Sequence, residues 1–398
     1  MSRIVKTRFD LLLPKNSTYQ LPSAALQDAL QIEFQCLREA TQTESIKQEP
    51  RYFMLYNDPL CKYRTKPMDV RPSAHAGQLK LFISELWFLR KYASKSSGTI
   101  VYAGAADGRH IAFLAELFKK MKFILYDPRP FHKNVWGPNI VLKNQLFSMK
   151  EALLYENKNI LFVSDIRSGD PKDPFCDFDQ CVNDDMQKQK EWVKLMKPCC
   201  SMLKFRLSYK SGKTFYFLGQ LRYGIFATQS STELRLIVRN PSFEIEYDNT
   251  EMEEKCYYFN NFTRAVRYHH FFNFSNNDLL RQKWLAKGID FCWDCCAFLR
   301  VCYDFLMERN QCQNENDLFE FVCNCIDKCN AFHKLKLSPH GDNFDQWIYA
   351  RNAYHGQDIW SKGNTATPNI ADFLHRVYSN NAEIAPPLGN YCGSMFFC

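Results

Sequence analysis

Two lysines and two acids lie along this chain in contexts that suit proton transfer. Lys80 lies in a helical pattern, and Asp165 follows an apolar run. Lys204 lies within an apolar strand pattern, and Glu233 begins another. A lysine that is buried or close to a second cation has a lowered pKa and can take a proton from a hydroxyl. Each residue alone has an ordinary structural explanation, but together we expect them to form one pocket in which the acids orient the amines.

A glycine-bearing turn predicts a cofactor site. Gly104 follows the apolar run Val101–Ala103, and Gly108 closes the turn before a helical pattern. Such a turn directs backbone N–H groups and a helix N-terminus towards a ligand. Asp127 ends the next apolar run, where an acid commonly accepts hydrogen bonds from a ribose diol. The turn lacks Gly-x-Gly-x-x-Gly, which disfavours a dinucleotide and favours S-adenosylmethionine; a purely structural turn is the alternative.

Strand and helix patterns alternate between residues 78 and 239. Helical spacing covers Gln78–Tyr92, and a buried strand pattern covers Thr99–Ala103. Further strands are predicted over 122–126, 139–143, 160–164, 201–207, 215–218 and 233–239, with helices over 23–40, 110–120 and 187–196. This alternation predicts a mostly parallel α/β sheet flanked by helices.

The bulk composition narrows the class of protein. The chain has 398 residues, 46% of them hydrophobic, and a formal charge of +8, which is compatible with nucleic-acid binding and with an ordinary soluble protein. We find no signal-peptide pattern and no apolar stretch near the roughly 20 residues of a membrane helix. We therefore expect a soluble protein in a reducing compartment, with most of its 17 cysteines free.

From about Gly77 to Tyr258 the chain resembles the poxvirus-type cap-specific mRNA nucleoside 2′-O-methyltransferases. The resemblance rests on Gly77-Gln78-Leu79-Lys80, Val101-Tyr102-Ala103-Gly104, Asp127-x-Arg129, Ser164-Asp165-Ile166-Arg167, Leu203-Lys204-x-Arg206 and Glu233-x-Arg235. It implies a Rossmann-like S-adenosylmethionine-dependent methyltransferase sheet. It also implies that Lys80, Asp165, Lys204 and Glu233 form a catalytic tetrad, with Lys204 as the base for a ribose 2′-hydroxyl.

The same resemblance implies a set of cofactor contacts. These are Gln78, Tyr102, Gly104, Ala105, Gly108, Asp127, Arg129 and Asp165. The chain departs from the family pattern at two places in this region. Asp107 stands where the family often has proline, and Pro128 directly follows Asp127.

A cap pocket is implied as well. A cationic 7-methylguanine is held by stacking between aromatic rings, with a carboxylate on its edge. The resemblance makes Tyr209 one ring and Glu253 the carboxylate, and it leaves Tyr56 and Tyr63 as alternatives for the second ring. Lys210 and Ser211 stand where the family has a second carboxylate, and Arg167 and Arg206 are expected to contact RNA phosphates.

The C-terminal part differs from the rest in composition. Eleven of the 17 cysteines follow residue 250, and several are spaced among Phe and Leu as in a buried helix. This favours small core side chains over a zinc site, so no metal is predicted. We expect an N-terminal segment over 1–75 that contributes to the cap pocket, a methyltransferase domain over 76–258, and a mainly helical, Cys-rich extension over 259–398.

The sequence thus predicts methyl transfer from S-adenosylmethionine to the ribose 2′-hydroxyl of the first transcribed nucleotide of capped mRNA. Two alternatives stay open: an RNA-binding processivity subunit, catalytic or not, and a ribose 2′-O-methyltransferase acting on internal RNA sites. Since the family's poxvirus member is also the small subunit of a poly(A) polymerase, the resemblance implies capped mRNA and a polymerase catalytic subunit, or other capping or transcription proteins, as partners. It further implies a cytoplasmic location, in a virion or viral factory, and no membrane.

Overall fold

The elements that carry the candidate site belong to one mixed α/β structure. The computed structural model of the protein describes residues 52–55, 58, 60, 62–63, 77–95, 98–169, 175–227, 231–260, 283–284, 287, 289 and 293–329. The α-helices in this part of the chain are α1 Gly77–Tyr92, α2 Arg109–Leu117, α3 Met149–Leu153, α4 Phe178–Met196, α5 Asn249–Tyr258, α6 Trp293–Met307 and α7 Glu315–Lys328. The strands there are β1 Thr99–Ala103, β2 Lys122–Tyr126, β3 Ile140–Lys143, β4 Leu161–Ser164, β5 Cys200–Phe205, β6 Lys213–Phe217, β7 Gln220–Tyr223, β8 Leu234–Val238 and β9 Glu244–Asp248.

A seven-stranded sheet forms the centre, in the order β3-β2-β1-β4-β5-β8-β7. The first five strands are parallel, and β8 and β7 are antiparallel to their neighbours. The strands β6 and β9 form a separate antiparallel pair. The predicted mostly parallel α/β sheet flanked by helices is therefore confirmed. Because the strand order reverses between β1 and β4, their carboxyl ends border the crevice in which such sheets bind ligands.

The core lies on both faces of this sheet. The strands β4 and β8 are buried along their whole length, as continuous apolar strands covered by helices should be. On α1, Leu79, Phe82, Ile83 and Leu86 are fully buried and share one face of the helix. The C-terminal helix α6 packs against α1, and α7 packs against α6 and α2.

The element boundaries differ from the sequence predictions at several places. The helix predicted over 187–196 begins at Phe178, because the side chain of Asp177 accepts a hydrogen bond from the N–H of Gln180 and caps it. The strand predicted over 233–239 covers Leu234–Val238, so Glu233 stands immediately before it. The strands β7 and β9 and the helices α3 and α5 were not predicted. The helix predicted over 23–40 lies outside the described residues, and no described helix is long and apolar enough to span a membrane.

Candidate active site

Lys80, Asp165, Lys204 and Glu233, here called the tetrad, meet at the carboxyl edge of the parallel strands. Asp165 follows β4, Lys204 lies near the end of β5, Glu233 precedes β8 and Lys80 lies in the first turn of α1. The Nζ of Lys204 lies 3.0 Å from Oδ1 of Asp165 and 3.8 Å from Oε2 of Glu233. The Nζ of Lys80 lies 3.1 Å from Oε1 of Glu233. The two amines are thus linked through one carboxylate.

A buried arginine, which the sequence pointed to only as one of several basic residues that could contact RNA phosphates, lies between the two acids. Its NH2 lies 2.8 Å from Oδ1 of Asp165, and its NH1 lies 3.2 Å from Oε1 of Glu233. This residue, Arg235, is directly opposite Lys204 in the ladder between β5 and β8. The signal in the sequence was a charged residue inside the apolar strand Leu234–Val238, two positions after Glu233 and so on the same face.

The electrostatics keep Glu233 ionised. Burial by itself raises the pKa of this carboxyl, but the charges of Lys80, Lys204, Arg235 and Arg167 outweigh burial and hold the pKa well below its usual range. The contribution of Arg167 is direct, because its NH2 lies 2.8 Å from Oε2 of Glu233. A carboxylate in this state can hold two amines in fixed positions.

Burial lowers the pKa of a lysine, whereas it raises the pKa of a carboxyl. The pKa of Lys80 is lowered chiefly by burial, with Glu233 opposing the shift and Arg235 adding to it. For Asp165, burial raises the pKa, but Lys204 and Arg235 outweigh it and the net shift is downward. With Arg167 and Arg235 included, four cations face two anions. This excess favours loss of a proton from an amine and attracts a polyanionic substrate.

The glycine turn brings two strand ends into close contact. Gly104 has φ +80°, and a Cβ at this position would lie 2.9 Å from the backbone N of Ile166. Only glycine tolerates both conditions. The N–H groups of Gly104 and Ala105 donate to the carbonyl of Tyr126, at 2.8 and 3.1 Å. Gly108, with φ +71°, precedes α2 and packs against Phe131 and Val135.

Asp127 lies at the end of β2, as predicted, and is buried. Its Oδ2 accepts a hydrogen bond from the N–H of Ala106 at 2.8 Å, and its Oδ1 accepts from the N–H of Arg129 at 2.9 Å. The Nε of Arg129 donates to the same Oδ1 at 3.0 Å. Asp127 therefore ties the glycine turn to the loop after β2. A ribose hydroxyl at this position would share these oxygens with Arg129.

Gln78 and Tyr102 belong to a buried hydrogen-bond network that supports the glycine turn and that was not predicted from the sequence. The Oε1 of Gln78 accepts from the backbone N–H of His110 at 3.3 Å and lies 2.7 Å from its Nδ1. Because Oε1 is an acceptor, the Nδ1 of His110 carries a proton. The Nε2 of His110 lies 3.1 Å from Oε1 of Glu85, to which the hydroxyl of Tyr102 donates at 2.7 Å. This network fixes the start of α2 and therefore the shape of the turn.

These features fit S-adenosylmethionine. A Cβ at Gly104 would lie 2.9 to 3.0 Å from the backbone of Ile166 and Asp165, so the glycine lets the turn lie directly against the chain that leads into the tetrad. Asp127 is tied to this turn and Asp165 directly follows the neighbouring strand, and carboxylates on either side of the crevice between β1 and β4 suit a cationic sulfonium. Among the described residues, no group of three or more His, Cys, Asp or Glu side chains is arranged to hold a metal.

Tyr63 and Tyr209 are 146 residues apart in the sequence and in contact in the structure. Their ring centroids lie 5.4 Å apart with an interplanar angle of 36°, and their hydroxyls are 3.4 Å apart. Tyr257 contacts Tyr63 edge-on at 5.5 Å. The other alternative for the second ring, Tyr56, lies outside the described residues. Because rings at 5.4 Å are in direct contact, a base can stack between Tyr63 and Tyr209 only if they separate.

Glu253 lies on α5 and lines a recess of about 250 Å³ together with Tyr209, Asn249 and Cys256. Burial, followed by the charges of Glu254 and Asp179, raises the pKa of Glu253, and Arg206 opposes this. Asp179, from the first turn of α4, was not predicted as a site residue. Its Oδ1 accepts from the N–H of Tyr209 at 3.3 Å, which places a second carboxylate beside the tyrosine.

A second recess lies beside the tetrad. It holds about 310 Å³ of open space and is lined by Lys204, Glu233, Arg167, Arg206 and residues of α4. The guanidinium of Arg206 lies 4.5 Å from the ring centroid of Phe178 and 4.3 Å from that of Tyr209. Arg206 thus contacts the aromatic site while lying two residues from Lys204, which suits a nucleic-acid backbone that passes from one to the other.

The chain is similar to one protein family and to several known proteins. A family model described as "Poly A polymerase regulatory subunit" matches residues 49–291. The chain is 30% identical over 238 residues to the cap-specific mRNA (nucleoside-2′-O-)-methyltransferase of Myxoma virus (strain Lausanne), covering 54% of this chain and 69% of that protein. It is 31% identical over 208 residues to the protein of the same name from Fowlpox virus (strain NVSL), covering 46% and 66% respectively. A solved structure of bluetongue virus VP4, described as a multifunctional RNA-capping production line, aligns with a TM-score of 0.36 and 16% identity over 53% of this chain and 34% of that chain.

Proposed function

This chain belongs to the poly A polymerase regulatory subunit family, and from that membership and its site we propose that it is a cap-specific mRNA 2′-O-methyltransferase. The resemblance found in the sequence is confirmed at the level of the family by the matches to the myxoma and fowlpox proteins. The observation that carries the proposal is the convergence of the tetrad, with Lys204 3.0 Å from Asp165 and Lys80 3.1 Å from Glu233.

The tetrad supplies what methylation of a hydroxyl needs. In its amine form, Lys204 accepts a hydrogen bond from the 2′-hydroxyl and takes its proton as the oxygen–carbon bond forms. Asp165 and Glu233 fix the direction of the amine and stabilise the ammonium that results. Lys80 and Arg235 hold the two acids in place through ion pairs with Glu233 and Asp165.

Residues of the glycine turn would hold the methyl donor. The backbone at Gly104, Ala105 and Gly108 would approach it closely, with Asp127 and Arg129 at the rim of the crevice. S-adenosylmethionine, when bound, supplies an electrophilic methyl group on a sulfonium. Since Asp165 directly follows the strand next to Gly104, the crevice and the tetrad share a border, which favours a short transfer distance.

The aromatic recess favours capped mRNA over internal RNA sites. A ribose methyltransferase for internal sites needs the tetrad but has no use for a carboxylate beside stacked tyrosines. Here Glu253 and Tyr209 line one recess, and Arg206 joins this recess to the tetrad. An aromatic surface with an acid at its edge is the arrangement that binds a cationic 7-methylguanine.

The proposal is tested by transfer of labelled methyl from S-adenosylmethionine to short RNAs ending in m7GpppN, GpppN or triphosphate. The wild type is compared with Lys204→Ala and with Lys194→Ala, a lysine on α4 outside the tetrad whose side chain is 50% exposed. We expect transfer to m7GpppN RNA alone, abolished in Lys204→Ala and kept in Lys194→Ala. Transfer that persists in Lys204→Ala would refute the assigned base, and absence of transfer in the wild type would refute the proposed function.

The family membership supports a second role beside a poly A polymerase. We propose that the chain binds the catalytic subunit of such an enzyme and that this role is independent of methyl transfer. In that case Lys204→Ala loses methyl transfer but still binds the polymerase. The separation is measured by methyl transfer and polymerase binding on the same preparations.

A further inference from the structure

Two buried polar side chains on α4 contact the chain segments that carry Asp165 and Lys204. Asp185 is 7% exposed and Gln189 is 1% exposed. They are four residues apart, so they lie on the same face of the helix, one turn from each other. Both line the recess beside Lys204. Burying a carboxylate or an amide is costly unless it is hydrogen-bonded, so the partners of these two groups identify what each of them holds in place.

The amide of Gln189 contacts the backbone of Lys204. Its Nε2 donates to the carbonyl of Lys204 at 3.1 Å and lies 4.0 Å from Sδ of Met186. Its Oε1 has no hydrogen-bond partner among the described residues. The bond to the carbonyl is therefore the contact that orients this amide, and it joins α4 to the strand that carries the proposed base.

Lys204 lies where the sheet opens. The ladder between β4 and β5 reaches Leu203 and ends one residue before Lys204. The chain after β4 stays with β1, because the N–H of Asp165 donates to the carbonyl of Ala103 at 3.0 Å. Gln189 thus supplies a donor to β5 at the point where β4 no longer pairs with it.

Asp185 holds the other segment, three residues after Asp165. Its Oδ2 accepts from the N–H of Ser168 at 2.7 Å, and its Oδ1 accepts from the hydroxyl of Ser168 at 2.8 Å. Lys188 lies 3.6 Å from Oδ1 and balances the charge. The helix packs against β5, and Trp192 on its inner face is buried. One anchored helix therefore contacts both chain segments, with side chains from adjacent turns.

We propose that Asp185 and Gln189 are positioning residues that set the distance between Asp165 and Lys204. These two members of the tetrad follow the last paired residues of β4 and β5, so their 3.0 Å contact relies on α4 to hold each backbone. The effect on rate rests on the proposed methyltransferase function. A general base must lie within hydrogen-bond reach of its hydroxyl, and a displacement of about 1 Å can cost about 100-fold in rate.

The test compares Gln189→Met and Asp185→Ala with the wild type in steady-state methyl transfer from S-adenosylmethionine to m7GpppN RNA. Gln189→Met keeps the length of the side chain and loses the donor, and Asp185→Ala loses both acceptors in a good helix former. We expect kcat to fall about 10- to 100-fold in each variant, while KM for the cofactor and for RNA stays within about twofold. Gln187→Met and Asp184→Ala, at exposed positions of the same helix, are the matched controls and should keep the wild-type kcat.

A second measurement reports on Lys204 without using methyl transfer. The side chains of Lys204 and Lys80 are 15% and 21% exposed. Limited labelling with acetic anhydride, followed by mass spectrometry of peptides, gives the fraction of each amine that has reacted. In Gln189→Met the labelling of Lys204 should rise relative to that of Lys80, because the backbone of Lys204 has lost its anchor. Gln187→Met should keep the wild-type ratio.

The outcomes separate positioning from other roles. Unchanged kcat in both Gln189→Met and Asp185→Ala would overturn the proposal. A rise in KM for RNA at constant kcat would also overturn it, since the residues would then bind substrate. Loss of kcat together with a raised KM for the cofactor and an unchanged labelling ratio would leave only a general structural role. If the wild type transfers no methyl group, the proposed function fails, and the labelling ratio alone decides on positioning: a raised ratio supports it and an unchanged ratio refutes it.

Discussion

Lys204 and Arg235 stand opposite each other in the antiparallel ladder of β5 and β8, and both contact Oδ1 of Asp165, at 3.0 Å and 2.8 Å. One of these cations can release its proton, whereas the guanidinium cannot. The strand pairing therefore sets a permanent positive charge beside the proposed base. The guanidinium also shares with this lysine the carboxylate oxygen that both contact.

Replacing Arg235 with Met should move the pH dependence of methyl transfer upward. Without the guanidinium, the acids compensate the lysines more completely, so the lysines keep their protons to higher pH. A nearby charge shifts a pKa by about one unit or more, and the rising limb of the rate profile should shift by a similar amount. Single-turnover rates between pH 6 and 10 measure this, with Arg235→Lys retaining the wild-type profile more closely. An unchanged profile with a reduced rate would assign Arg235 a structural role only.

Gly104→Ala should weaken cofactor binding. The new Cβ would lie 2.9 Å from the backbone N of Ile166 at φ +80°, so β1 and β4 must separate at their carboxyl ends. Gly137→Ala is the matched control, because its nearest neighbours are side-chain atoms at 3.4 Å. Calorimetric titration with S-adenosylmethionine should show affinity at least about tenfold weaker for Gly104→Ala. Equal affinities in the two variants would place the cofactor away from this turn.

The parts of the fold that could be predicted are those encoded in short segments. Apolar runs such as Thr99–Ala103 predicted the buried strands, and the charge of Lys204 inside an apolar pattern pointed to a site. The start of α4 was missed because its inward side carries polar residues. Asp185 is buried and accepts hydrogen bonds from Ser168, and Gln189, farther along the helix, is also buried and donates to the carbonyl of Lys204. The periodicity of hydrophobic residues predicts that such polar positions are exposed.

Contacts between distant segments could not be predicted. His110 joins Gln78 and Glu85, which are 32 and 25 residues away, and each of the three could equally stand on a solvated surface. Tyr63 contacts Tyr209 although the two are 146 residues apart, so the sequence alone could not distinguish Tyr63 from Tyr56 as the second stacking ring. These pairings follow from the order of the strands in the sheet, which hydrophobic patterns do not specify.

Glu233→Gln should destabilise the protein at neutral pH and much less in acid. The folded-state pKa of Glu233 lies below the ordinary value of about 4.3, so its contribution to stability is fully present above that value and is lost as pH falls through the folded pKa. Breaking a buried ion pair costs about 3 kcal/mol. Thermal melts between pH 7 and pH 3 should therefore show a difference in Tm from the wild type that narrows on acidification. Glu246→Gln, which removes an exposed partner of Lys213, should show a small difference throughout. A constant difference for Glu233→Gln would mean that its charge does not matter.

Tyr209→Ala should raise KM for capped RNA more than it lowers kcat. Tyr209 contacts Tyr63, lies under Arg206 and lines the recess with Glu253, so its loss removes the stacking surface but leaves the tetrad intact. Loss of one stacked base contact costs about 1–3 kcal/mol, which predicts an increase in KM of about tenfold or more. Tyr63→Ala should give an increase of the same order if Tyr63 is the second ring. Phe215→Ala, at an exposed ring on β6, is the control and should leave KM unchanged. Equal KM values for m7GpppN RNA in all three variants would exclude these tyrosines from cap recognition. A fall in kcat alone would instead show that Tyr209 acts by positioning Arg206 beside the tetrad.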